Sequence, residues 1–148
     1  MTEKETALIE EINKKFDYVE LDERASVIIP TDKLLEFMGT LKDDYDMDFL
    51  TNETAVDYPK ENKIEVIYNV SSIDNGTTIM VKTSVERDNP ELPSVFPVWG
   101  GADWQEREIY DLVGVTFTDH PNPKRILMPY EYEGHPLRRD FQWKGGRD

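Results

Sequence analysis

Residues 63–85, KIEVIYNVSSIDNGTTIMVKTSV, decide the fold. In the first run Ile64, Val66, Tyr68 and Val70 alternate with Glu65, Ile67 and Asn69, the period-2 pattern of a strand with one better-buried face. TTIMVKTSV alternates in the same way, and DNG at 74–76 lies between the two runs. Two alternating runs around such a turn predict an antiparallel hairpin.

Outward from the hairpin, the flanks supply helices and further strands. TEKETALIEEINKKF places Thr2 three residues before Glu5, a capping-box pattern, with Leu8, Ile12 and Phe16 on one helical stripe. YVELDERASVII reads as two short strands, Tyr18 to Leu21 and Ala25 to Ile29, joined by a charged turn. Pro30 stops the second, and Thr31 is placed to cap a helix carrying Leu34, Met38 and Leu41. MDFLTNETAVDY, residues 47–58, reads as another strand. Helices among antiparallel strands make an α+β domain, mainly an antiparallel sheet with flanking helices.

The texture changes at residue 88. DNPELPSVFPVWGG holds Pro90, Pro93, Pro97 and two glycines, which breaks regular structure over most of its length. A short C-terminal helix follows in ADWQEREIYDLVG, with Asp103 as N-cap, Glu106 at the third helical position and Gly114 at its end. Its spacing of four sets Arg107 between Asp103 and Asp111, and Trp104, Ile109, Leu112 and Val113 form its packing face. The expected organisation is a body over 1–88, a Pro/Gly-rich connection with the ERE helix packed on the body over 89–118, and an extended arm over 119–148.

Composition excludes several classes of function. The 148 residues contain no cysteine, which removes disulfides, thiol catalysis and thiolate-held iron–sulfur clusters from this chain. The formal net charge of −14 argues against nucleic acid and anionic membranes as partners. No apolar run reaches the ~20 residues that span a bilayer, and the N-terminus lacks a signal-peptide core, so a cytoplasmic location is expected. Residues 1–104 hold 23 acidic and 10 basic side chains, whereas 105–148 hold 8 and 7. An acidic body therefore joins a nearly neutral tail.

Acid–base catalysis by Glu106, Glu108 and Asp111 is one reading of the helix, because paired carboxylates can do such work. The structural reading is preferred: Glu106 has a cap to make, and Arg107 beside it would keep its neighbours ionised. A metal site is disfavoured too. His120 and His135 are fifteen residues apart, without tight carboxylate spacing, and each precedes proline. No catalytic, metal or cofactor-binding residue is assigned.

The arm carries two related runs, HPNPKRILMP at 120–129 and GHPLRRDF at 134–141. Four prolines keep residues 119–148 from building a core, yet four aromatics set them apart from a disordered tail. Spaced apolar anchors and arginine forks on a pre-restricted chain suit a protein partner. The expected interface is His120, Arg125, Ile126, Leu127, Met128, Tyr130, His135, Pro136, Leu137, Arg138, Arg139, Asp140 and Phe141.

The run WQEREIYDLVGVTFTDHPNPKRILMPYEYEGHPLRRDFQ, 104–142, closely resembles the signature of the C subunit of respiratory complex I, NADH:quinone oxidoreductase. The likeness rests on Glu106, Arg107, Glu108, Asp111, Gly114, His120, Pro121, Arg125, Ile126, Leu127, Gly134 to Arg138, Asp140 and Phe141, in a motif helix that also holds Trp104. Arg139 stands where Lys is usual, which keeps the charge. FLTNETAVDYP at 49–59 resembles a body motif of the same family. The resemblance implies a peripheral-arm subunit without its own cofactor, on the cytoplasmic side of the membrane. It would pack beside the large D subunit, which helps form the quinone site, and near the small B subunit, with iron–sulfur clusters and quinone carried by partners. Membrane-bound hydrogenases and ferredoxin- or deazaflavin-driven dehydrogenases contain equivalent subunits. A stand-alone carboxylate/His hydrolase and an unrelated adaptor are the competing classes.

Overall fold

The structure is a computed structural model that describes residues 2–125, 127–128 and 134–138. Helix α1, Glu3–Lys15, starts at the expected capping box: Thr2 Oγ1 accepts from Glu5 N–H, and the Glu5 carboxylate accepts from Thr2 N–H. Ile9 and Ile12 form its buried face. Strands β1, Glu20–Leu21, and β2, Val27–Ile28, pair antiparallel and are shorter than the sequence suggests. The Asp22 carboxylate shortens them: it accepts from Arg24 N–H and Ser26 N–H and closes the connection as a side-chain turn.

After Pro30 the expected Thr31 cap is not formed. Thr31–Lys33 make a 3-10 turn with no side-chain cap, and helix α2 runs Leu34–Tyr45. Leu34, Phe37, Met38 and Leu41 are fully buried along it. Asp46 ends the helix in the left-handed region. Strand β3, Phe49–Tyr58, is followed by the hairpin partners β4, Lys63–Ser72, and β5, Thr77–Glu86. They are antiparallel, with Ile64 opposite Val85, Val66 opposite Thr83 and Tyr68 opposite Val81. The five-stranded sheet has the order β1-β2-β5-β4-β3, antiparallel except for β2 beside β5. The α+β class with a mainly antiparallel sheet is therefore the observed one.

Two features of residues 89–118 go beyond the sequence reading. Strand β6, Glu91–Pro93, pairs parallel with β7, Thr116–Thr118, across helix α3, Ala102–Val113. The residues between β6 and α3 are irregular, as expected, and are tied to α2 and the turn after it. Trp99 is buried and donates from Nε1 to Met47 O at 2.9 Å, and Lys42 Nζ donates to Val98 O at 2.7 Å. Helix α3 lies along β3, the long free edge of the sheet. There the Gln105 side-chain oxygen accepts from the outward Glu53 N–H at 2.6 Å, next to a register shift between Leu50 and Asn52.

Candidate functional site

Helix α3 is the hub of the region singled out by the sequence. It starts two residues earlier than expected, with Gly101 rather than Asp103 at the N-cap and no side-chain cap. Glu106 thus falls two residues deeper, about half a turn, on the same inward face as Ala102, Ile109 and Val113. The capping role expected of Glu106 is replaced by a buried one. Trp104, expected on the packing face, is 57% exposed, and its indole N–H donates to Glu108.

Glu106 accepts from the Ser94 hydroxyl and from Val95 N–H at 3.0 Å. Opposite it stands Glu53 of β3, whose two carboxyl oxygens meet no donor. Burial pushes Glu53 well above the usual carboxylate range, reinforced by Glu106, and makes it the protonated partner of the pair. Burial also raises Glu106, to about 7, against the opposing hydrogen bonds from Ser94, Val95 and Glu53. The expectation that Arg107 keeps Glu106 ionised does not hold. Arg107 points outward, donating to the carbonyls of Lys124 and Arg125 at 3.0 and 3.2 Å. Tyr68, directly across from Glu53 in the sheet, is buried with its hydroxyl unpartnered, and burial and the two acids keep its proton on.

His120, with 2% of its side chain exposed, closes this pocket from the far side. Its Nδ1 accepts from Asn122 N–H at 2.9 Å, which puts the ring proton on Nε2. Nε2 donates to Asp103 O at 3.1 Å and lies 3.9 Å from the Glu106 carboxylate. Beside it a cavity of about 160 Å³ is lined by Glu106, Arg107, Tyr110, Thr116, Phe117, His120 and Pro123.

The outer rim of α3 holds the arm through Asp111, which is also fully buried. Its carboxylate accepts from Arg125 Nη1 at 2.8 Å, Leu127 N–H at 2.6 Å and Met128 N–H at 2.8 Å. The expected Arg107 sandwich between Asp103 and Asp111 is therefore replaced by Arg125 on Asp111, since Arg107 is drawn to the arm's carbonyls. The last carbonyls of a helix lack partners within it and carry negative partial charge. The arm supplies donors for them. His135 Nδ1 donates to Asp111 O at 3.0 Å and Leu137 N–H to Leu112 O at 2.7 Å. Arg125 Nη2 reaches Gly134 O at 2.8 Å and links the two arm segments.

Gly114 makes this approach geometrically possible. Its φ is +87°, and a Cβ there would lie 2.7 Å from the His135 ring. On the sheet side, Asp57 of β3 is buried and takes a two-pronged contact from Arg87, with Arg138 Nε 3.8 Å away.

Thus His120, Arg125, His135 and Arg138 turn their polar groups inward onto this chain, and Met128 holds on through its backbone. Pro136 is half-buried beside them, whereas Leu127 and Leu137 point out, 58% and 62% exposed. Ile126, Tyr130, Arg139, Asp140 and Phe141 lie outside the described residues. Sequence reasoning missed Glu53, Asp57, Arg87 and Ser94. The parity of β3, which sets Glu53, Ala55 and Asp57 on one face, was the available signal. Among the described residues no group of three or more His, Asp or Glu converges as metal ligands would, and no helix is long and apolar enough to cross a membrane.

Comparison with known proteins places this geometry in context. The family model described as respiratory-chain NADH dehydrogenase, 30 Kd subunit, matches residues 27–147. The C subunit of NADH-quinone oxidoreductase from Moorella thermoacetica is 43% identical over 143 residues, covering 93% of this chain and 97% of that protein. Its namesake from Citrifermentans bemidjiense is 38% identical over 134 residues, covering 90% and 83%. Among solved structures, a chain of the membrane-bound sulfane sulfur reductase, an archaeal respiratory membrane complex, superposes with a TM-score of 0.83 at 30% identity, covering 95% of this chain and 86% of that one. A trypsin-resistant fragment of Nqo5 gives 0.67 at 29% identity, covering 79% and 97%.

Proposed function

From its membership of the family of the 30 kDa subunit of respiratory-chain NADH dehydrogenase, to which this chain belongs, we propose that it is a scaffolding subunit of a complex I-type assembly. It carries no catalytic residue and no redox cofactor of its own. It sits on the cytoplasmic side of the membrane, against the large D subunit of the quinone site and near the small B subunit, and partners hold the iron–sulfur clusters and quinone.

The observation that carries this reading is the inverted packing of the arm. A segment folded for its own domain's core buries apolar side chains and leaves polar ones in water. Here the polar groups of His120, Arg125 and His135 are turned onto α3 and onto the arm's own backbone, while Leu127, Leu137 and Trp104 of α3 face outward. Anchors of this kind on a preordered backbone lower the entropy that binding must overcome. The likeness to a chain of the sulfane sulfur reductase complex supports a second reading, an equivalent subunit in a complex I relative with another electron donor or acceptor.

The test replaces Leu127 and Leu137 together by serine in the native host. The amount of intact complex recovered from membranes should fall, while the complex that does form turns over normally per iron–sulfur centre. Normal assembly with lost turnover would assign this face to the chemistry and overturn the scaffolding role. The purified chain should be colourless after desalting, and a flavin or iron–sulfur spectrum that persists would refute its lack of a cofactor.

A further inference from the structure

Glu53 and Glu106 are brought together by tertiary structure alone, one from the edge strand and one from the helix that covers it. Their relative exposures are 4% and 0%. The groups around them come from every packed element. Tyr68 faces them from β4, Ser94 and Val95 from the end of β6, Asp103 and Gln105 from α3, and His120 from the segment after β7. Among the described residues no lysine or arginine makes a hydrogen bond or ion pair with either carboxyl.

We propose that Glu53 and Glu106 form a proton-binding site, in which one proton held by Glu53 and shared with Glu106 fastens α3, and the arm that α3 carries, to the sheet.

The hydrogen-bond inventory assigns the two roles. Glu106 accepts from a hydroxyl and a backbone N–H, the donor set of an ionised carboxylate. Glu53 meets no donor at either oxygen. Ionised, it would be a buried charge with no hydrogen bond, facing a second carboxylate. Protonated, it becomes the donor that Glu106 lacks on that side, and two like charges need not share a dry site. Burial and the neighbouring acid both drive Glu53 toward the protonated form.

The site couples proton binding to a movement. When α3 lifts from β3, both carboxyls meet water, Glu53 releases its proton to solvent and the two charges hydrate separately. Opening therefore becomes easier as pH rises, by about tenfold per pH unit for each proton released. With Glu106 ionised on its two donors and Glu53 holding the shared proton, one proton leaves per opening event. The arm moves with the helix, because Asp111 and the last carbonyls of α3 hold it.

The experiment uses the full chain without partners, so its failure is separable from failure of the assembly role. Amide exchange of Ile109 to Val113, normalised for the intrinsic rate, is followed between about pH 7 and pH 9. Protection should fall about tenfold per pH unit in the wild type and stay flat in Glu53→Gln, whose amide mimics the protonated acid. In the infrared, a protonated carboxyl C=O stretch should persist in the wild type at about pH 8 and vanish in Glu53→Gln. Equal slopes in the two proteins, or no such band in the wild type, would overturn the proposal. Should Glu53→Gln not fold, the wild-type band decides alone.

Discussion

Asp111→Ala should detach the arm and lower the stability of the whole chain. The Asp111 carboxylate is fully buried, and its donors among the described residues include the Arg125 guanidinium, itself only 9% exposed, and the amides of Leu127 and Met128. Removing one partner of a buried ion pair costs ~3–5 kcal/mol, mainly because the other charge has been stripped of water. The two amides add little beyond that, since the freed segment can rehydrate them. The loss is therefore capped by the free energy that docks the arm. Out of a total of about 5–15 kcal/mol, ~3–5 kcal/mol leaves a folded but weakened protein. Its Tm should fall by roughly 10 °C. Asp111→Asn keeps one acceptor oxygen and should lose less. Urea unfolding gives the energy, and amide exchange of Leu127 and Met128 reports the docking. A loss below ~1 kcal/mol with both amides still protected would mean that the clasp is solvent-screened, and would refute the burial argument.

Two further substitutions probe separate parts of the fold. Gly114→Ala combines a left-handed backbone, at ~1–2 kcal/mol, with a Cβ that must displace His135 and its bond to Asp111 O, so ~2–3 kcal/mol of stability should vanish by urea titration. Unchanged stability would show that His135 is not docked there. Asp22→Asn tests the β1–β2 turn. Partial burial pushes Asp22 up, but bonds from Lys82, Ser26 and Arg24 hold it below its ordinary 3.8. Its contribution, about 1 kcal/mol, is present above that ordinary value and lost as pH falls through the folded value. The stability gap between wild type and variant should thus be open at neutral pH and close in acid. A gap independent of pH would contradict it.

The sheet and helices were legible because their signals are local. The alternation in 63–85 and the Thr2–Glu5 box are written within a few residues, and both appear where that pattern puts them. β6 and β7 were not legible: each is three residues long, and their pairing is parallel and separated by a helix, so no local turn announces it. Glu106 was misread for a similar reason. Asp103 and Glu106 satisfy the capping pattern by spacing, yet the helix begins two residues earlier and packing against β3 turns Glu106 inward. Its partner Glu53 is fifty-three positions away, and only the fold of the hairpin and α3 brings the two carboxyls together. The arm residues were singled out by type and spacing, as an expected partner interface. That Arg125 and His135 spend their donors on the end of α3 depends on Gly114 and Asp111, which the sequence presents only as a helix terminator and an acidic side chain.

The Gln105 contact on β3 bears on the life of the chain before it meets any partner. A ten-residue strand with one unpaired flank is a template onto which another extended chain can add, the first step of ordered aggregation. Here the flank is covered by a helix, one of its outward amides is already satisfied by an internal side chain, and a register irregularity bends its beginning. The opposite margin of the sheet, β1, is only two residues long. The sheet therefore offers neighbouring copies few hydrogen-bonding groups to recruit. Replacing Gln105 with alanine would unblock that amide, and faster growth of thioflavin-positive fibrils would be its mark.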